Sequence, residues 1–132
     1  MEIRGAVLLE RGDHARALRL FREAARLERD VPIELWQRGL ADLGMGRALL
    51  GLGRNREAIV PLERAMAQDY MHHPPPGRLA TIRAYLAVAT ARAGLDAERA
   101  RTLANEALAD LARLPRIREA EALKLDLMAL SK

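Results

Sequence analysis

The chain has 132 residues, of which 50% are hydrophobic, 30% charged and 3% aromatic, and its net charge is +4. This length and hydrophobic content predict one folded domain, and the absence of cysteine excludes disulfides, thiolate metal sites and cysteine nucleophiles. No apolar stretch approaches the roughly twenty residues of a membrane-spanning helix and no secretory leader is recognisable, so we expect a cytoplasmic protein without membrane contact.

The spacing of apolar residues, glycines and prolines predicts seven helices. In chain order they cover residues 2–11, 14–29, 32–52, 55–70, 77–93, 96–113 and 116–130. N-caps are expected at Asp13, Asn55 and Asp96, because their side-chain oxygens can accept from free amides of a first turn. Pro61 falls inside the fourth helix and should bend it, whereas MHHPPPG at residues 71–77 predicts an extended connector.

A repeat of about 41 residues runs through the chain. Gly12, Gly53 and Gly94 are 41 residues apart, each between two helical segments, which indicates three helix-to-helix turns. Each following helix carries a stripe of small and apolar residues with spacing i, i+4, i+7, which allows close packing of a neighbouring helix. The stripes are Ala17, Phe21 and Ala24, then Ala58, Leu62 and Ala65, then Ala100, Ala104 and Ala107.

The segments GAVLLERGDHARALRLFREAARL and GMGRALLGLGRNREAIVPLERAM resemble the tetratricopeptide repeat family in their order of small, Gly, Ala, large-apolar and Ala positions. YLAVATARAGLDAERARTLANEAL is similar, with one extra residue after Gly94. The period is similar to that of a longer-helix subtype found in bacterial regulators and kinesin light-chain-like proteins. The resemblance implies an all-α, right-handed superhelix, a solenoid of three hairpins at residues 1–30, 31–71 and 77–113.

The last predicted helix, residues 116–130, has the pattern of a terminal cap. It places apolar residues along one face, which would cover the end of the helical stack. Those residues are Ile117, Ala120, Leu123, Leu127 and Leu130. The first helix begins about one turn later than in the family, which leaves open a longer parent protein or a contact at this end.

The sequence offers little for catalysis or metal binding, and we predict a protein that is not an enzyme and needs no cofactor. Ser131 is the only serine, and the threonines lie in helical patterns without a nearby histidine. His72 and His73 would point to opposite sides of an extended connector, so a metal site is not expected. Trp36 fits core packing better than an exposed binding anchor.

By resemblance, the first helices of the repeats line a concave groove that binds an extended peptide or a helix. Matched positions in this chain are Leu9, Glu10, Leu43, Arg47, Leu50, Ala84, Val88 and Arg92. The groove would be apolar with scattered charge and would lack the lysines and asparagines that clamp a C-terminal carboxylate. The implied function is a protein-interaction module, by analogy part of a larger bacterial regulatory protein.

Two other hypotheses remain open. An outer stripe of arginines on the second helix, spaced i, i+3, i+7 and i+10, could bind nucleic acid or an acidic partner, although base-stacking aromatic residues are missing and nucleic acid is the less expected partner. The stripe consists of Arg19, Arg22, Arg26 and Arg29. The chain could also self-associate as a homo-oligomer through its N-terminal end or its groove.

Overall fold

The computed structural model describes residues 2–28, 35–72, 77–113 and 123–131, and these form helices and the turns between them, with no strand. The helices are α1 (Glu2–Glu10), α2 (His14–Glu28), α3 (Leu35–Gly51), α4 (Asn55–His72), α5 (Arg78–Arg92), α6 (Ala97–Arg113) and α7 (Lys124–Leu130). The all-α prediction is confirmed, and the helix bounds agree with the sequence pattern to within a few residues wherever the chain is described.

Each of the three hairpins has one turn between its helices, and the three turns have the same geometry. Gly12, Gly53 and Gly94 have φ values of 79°, 77° and 69°, a left-handed conformation that glycine adopts without strain. Gly12 donates to the carbonyl of Leu9 at 3.1 Å and Asp13 donates to that of Leu8 at 2.9 Å. This Schellman pattern recurs at Gly53 and Gly94, so the predicted turns are confirmed.

The helices that follow these turns are capped in two different ways. The backbone amide of Arg16 donates to Asp13 at 3.3 Å and that of Arg99 donates to Asp96 at 3.0 Å, which confirms these two N-caps. The prediction for Asn55 is wrong. Arg54 occupies the equivalent place, because its carbonyl accepts the first helical bond from Ala58 at 3.1 Å, and its side chain pairs with Glu57.

The chain divides into two compact units, residues 1–73 and 74–132. In the first, α3 packs against α1 and α2 and pairs with α4. In the second, α5 pairs with α6 and α7 packs against both. Each unit therefore contains a helix stacked on both members of a hairpin. The prediction of a single domain across residues 1–132 stays a prediction.

The predicted small-residue stripes form the cores of both units. All nine stripe positions are buried, from Ala17 on α2 to Ala107 on α6. Pro61 lies inside α4, as predicted, and is buried there; the bend expected at this proline stays a prediction. Burial of alanines, instead of larger residues, lets paired helices approach closely along their length.

Helix α4 extends into the segment where the sequence predicts a connector. The sequence pattern predicts that the connector starts at residue 71, but α4 continues through Met71 and His72. The residue before the first proline is the one whose helical conformation is disfavoured, so helix can persist up to that point; residues 73–76 lie outside the described chain. For the predicted cap, Leu127 is fully buried and Leu123 and Leu130 are half-buried, while Ile117 and Ala120 lie outside the described residues.

Each unit contains a charge pair between the two helices of a hairpin. The acidic and basic positions of the pair in one unit are reversed in the other. Asp42 on α3 accepts from Arg64 on α4 at 3.1 Å. At the position 41 residues later, Arg83 on α5 pairs with Glu106 on α6 at 3.1 Å and with Asp110 at 2.7 Å. Arg113 also pairs with Asp110, at 2.5 Å. The acidic residue is on the first helix in one hairpin and on the second helix in the other.

Candidate interaction surface

Helix α3 keeps a single partly exposed line in an otherwise buried segment. Among residues 39–51, Leu40, Leu43 and Arg47 are half-buried and Gly51 is exposed, and every other position is buried. Their spacing of i, i+3, i+7 and i+11 places them on one side of the helix. Leu40, Leu43 and Arg47 therefore form a continuous strip of side chains on the partly exposed side of the helix. We call these three residues the α3 strip.

Glycines explain why the rest of α3 is so closely covered. A Cβ on Gly44 would overlap the ring of Phe21 on α2, and a Cβ on Gly46 would overlap the side chain of Leu62 on α4. Gly5 on α1 meets the same Phe21 ring. Helices α1, α2 and α4 can approach closely because these positions have no side chain, and between residues 39 and 51 of α3 the approach leaves only the α3 strip accessible.

Helix α1 contributes exposed residues to the first unit. Ala6, Val7 and Glu10 are exposed, and α1 packs directly against α3. Leu9, predicted to line the groove, is only 8% exposed and forms part of the core. Glu10 therefore remains as the accessible predicted position on this helix.

The predicted groove positions on α3 differ in their accessibility. Leu43 and Arg47 belong to the α3 strip, whereas Leu50 is 7% exposed and belongs to the core. Leu40 was not predicted, although its place three residues before Leu43 could have identified it as part of the same helical line. The structure places Leu43 and Arg47 on the partly exposed side of α3 and places Leu50 in the core.

The predicted positions on α5 are mostly covered. Ala84 is fully buried and Val88 is 2% exposed, so neither side chain presents a contact surface in the second unit. Arg92 is exposed and pairs with Asp126 of α7 at 3.8 Å. The α3 strip therefore has no counterpart at the positions of α5 that match Leu40, Leu43 and Arg47 in the repeat, because Thr81, Ala84 and Val88 are all buried.

The outer arginine stripe on α2 is exposed but partly neutralised. Arg19, Arg22 and Arg26 are exposed, and Arg29 lies outside the described residues. Arg26 donates two hydrogen bonds to Glu23, at 3.1 and 2.5 Å. These bonds lower the pKa of the Glu23 carboxyl below its usual value of 4.5 and raise the pKa of Arg26.

Helix α4 places another acidic residue near this stripe. Hydrogen bonding to Arg54 lowers the pKa of Glu57, and the charge of Arg22 lowers it further. The carboxylate of Glu57 thus lies close enough to Arg22 to offset part of its charge. Internal partners reduce the attraction that this surface offers to a polyanion.

Within the described segments, no cluster of three or more histidine, aspartate or glutamate side chains could hold a metal ion. The side chains of Trp36 and His72 and the whole of His73 lie outside what the structure describes. In the part of the chain that was searched, no helix is both long and apolar enough to cross a membrane.

Comparison with known proteins gives no relative from which a function could be transferred. No protein-family model matches the chain, and neither a curated protein nor a solved structure matches it.

Proposed function

We propose that this chain is a non-enzymatic protein-interaction module, a tetratricopeptide-like solenoid whose hairpins stack in a right-handed superhelix. The repeated glycine turns, the buried alanine stripes and the stacking of one helix on a complete hairpin within each unit support this proposal. The sequence resemblance to the tetratricopeptide repeat family rests on these same glycines and alanines.

The α3 strip carries the functional part of the proposal. Leu40 and Leu43 offer apolar surface and Arg47 offers a cation on one side of α3, whose other residues from 39 to 50 are buried. Glu10 on the neighbouring helix α1 adds an exposed acidic group. A surface with this mixture suits an extended peptide or an amphipathic helix, whose apolar side chains contact the leucines while polar groups reach the flanking charges.

The test compares proteins captured from native cytoplasm by three forms of the chain. A Leu43→Glu, Arg47→Glu variant should lose specific partners of the wild-type chain, because it places acidic groups on the apolar strip. Leu50 is avoided because a buried glutamate would destabilise the fold.

An Arg19→Glu variant serves as the matched control, because it reverses an exposed charge on α2 outside the strip. It should retain the partners. If the Leu43→Glu, Arg47→Glu variant keeps the partner proteins and the Arg19→Glu variant loses them, the α3 strip is not the binding surface. The outer arginine stripe would then be the binding surface. Helical circular dichroism and thermal melts must show that all three proteins are folded.

A further inference from the structure

The α3 strip and the adjoining part of α1 offer few hydrogen-bonding groups to a bound chain. Ala6 is exposed on α1 and lies 41 residues before Arg47, so it holds the equivalent position of the repeat on a helix that packs against α3. Leu40, Leu43 and Ala6 have no polar side-chain atom, and Arg47 can donate hydrogen bonds but cannot accept one. These four side chains therefore offer no acceptor to an amide N–H of a partner.

Binding an extended peptide on this surface would cost more free energy than binding a helix. The strip from Leu40 to Arg47 is about 10 Å long, and about three residues of an extended chain span that length. Their amide N–H groups would leave water without finding an acceptor among these side chains, which is unfavourable. A helix pairs its amides and carbonyls within its own backbone and presents only side chains. The strip therefore favours a helical partner.

Arg47 determines which charge the partner carries. Its guanidinium has five N–H donors, so it can keep an interaction within the chain and still donate to a carboxylate of a partner. Exposed Glu10 and Arg11 at the end of α1 are opposite in sign, and buried Asp42 is paired with Arg64. These four charges offset one another, so Arg47 makes the charge beside the two leucines positive. An acidic side chain on the partner is complementary to it.

We propose that the partner bound at the α3 strip is an amphipathic helix with an acidic residue beside its apolar stripe. The apolar side chains of this helix contact Leu40 and Leu43, and its aspartate or glutamate accepts hydrogen bonds from Arg47. This inference rests on the proposed function and adds the conformation and the charge of the partner. In the partner sequence, apolar residues with spacing i, i+3 or i, i+4 should share a helix face with the acidic residue.

Selection from a phage-displayed library of random peptides of about 16 residues, long enough for several helical turns, tests this inference. Peptides that bind the immobilised wild-type chain are retained, and those that also bind the Leu43→Glu, Arg47→Glu variant are removed. The remaining peptides should share apolar residues with helical spacing and an acidic residue at a fixed distance from them. Synthetic forms should gain helical circular dichroism on binding.

Charge reversal at Arg47 gives the second readout. The Arg47→Glu chain should bind the selected peptides about tenfold more weakly, because a charge-assisted hydrogen bond is lost and like charges meet. The same selection against this chain should return a basic residue in place of the acidic one. Arg19→Glu is the matched control, because it makes the same change at an exposed arginine of α2 outside the strip, and it should bind the peptides with unchanged affinity.

The outcomes separate this inference from the proposed function. Selected peptides with alternating apolar residues, or with proline inside the shared segment, would show an extended partner and overturn the inference while the α3 strip remains the binding surface. Helical peptides without a shared acidic residue would also overturn it. A selection that leaves no peptide specific for the wild-type chain would contradict the proposed function itself, provided that circular dichroism shows all the immobilised chains to be folded.

Discussion

The ring of Phe21 on α2 fills the space that Gly44 on α3 leaves by having no side chain. Phe21 is 3% exposed and also faces Gly5 on α1, so one aromatic side chain joins three helices of the first unit. The first hairpin and α3 therefore share one hydrophobic core around this ring.

Replacing Gly44 with alanine should destabilise the first unit. The new methyl group would overlap the enclosed Phe21 ring, and overpacking of this kind costs about 1–3 kcal/mol. The higher helix propensity of alanine, about 1 kcal/mol, offsets part of this cost. Urea denaturation should therefore show a net loss. In a double-mutant cycle with Phe21→Leu, the combined loss should be smaller than the sum of the two single losses; additive losses would contradict the contact.

Substitution at Gly12 should separate backbone strain from packing. No atom lies within 4 Å of a Cβ built at Gly12, so the left-handed backbone is the main constraint. Gly12→Ala should cost about 1 kcal/mol, and Gly12→Asn should cost less because asparagine tolerates this conformation better. Thermal denaturation of the two variants measures the difference. Equal stability of both variants and the wild-type chain would contradict a strained turn.

Exchanging the charges of Asp42 and Arg64 should reproduce in the first unit the arrangement seen in the second. Asp42→Arg alone brings two arginines together and should destabilise by about 2 kcal/mol, because it also removes the acceptor of a charged hydrogen bond. Adding Arg64→Glu should recover much of this loss. Denaturation of the wild-type, single and double variants measures the recovery. A double variant no more stable than the single one would show that the two positions are not equivalent.

The exposed pairs of Glu23 and Glu57 should make a small contribution to the pH dependence of stability. Both carboxyls have a pKa lowered below 4.5 in the folded chain, by Arg26 and Arg54 respectively. The unfolded chain therefore binds protons first, and the stabilisation present above about pH 4.5 is lost as the pH falls through the lowered pKa values.

Thermal melts between pH 6 and pH 3 should show this loss in the wild-type chain and a shallower one in a Glu23→Gln, Glu57→Gln variant. Added salt should narrow the difference, since both pairs are exposed to solvent. Equal slopes for the two proteins at low salt would contradict the contribution of these pairs.

Local features of the fold were predictable because short-range chemistry determines them. The three glycine turns and the caps at Asp13 and Asp96 depend on residues close in sequence, and the alanine stripes depend on helical period. The cap of α4 was not predictable in the same way. Asn55 looks suitable as a cap in the sequence, but Arg54, one residue earlier, takes the position through its backbone carbonyl.

The depth of the candidate surface was less predictable. Spacing identified the side of α3 that holds Leu43 and Arg47, but the burial of Leu50, Ala84 and Val88 depends on helices distant in sequence. The pairing of Arg83 with Glu106 and Asp110 has the same origin, since these residues lie on separate helices. Helical period gives direction around an axis but does not give the closeness of the neighbouring helix.

The reversed polarity of the inter-helix charge pairs affects how a chain made of similar hairpins can fold. If α3 were to take α6 as its partner, Asp42 would meet Glu106, and if α5 were to take α4, Arg83 would meet Arg64. Either mismatch would place a like charge beside a mostly buried one, since the side chains of Asp42 and Arg83 are only 10% and 15% exposed, and repulsion there is stronger than in water. The alanine stripes alone would hardly distinguish one hairpin from another, so this polarity disfavours exchange of halves between repeats or between neighbouring molecules during synthesis.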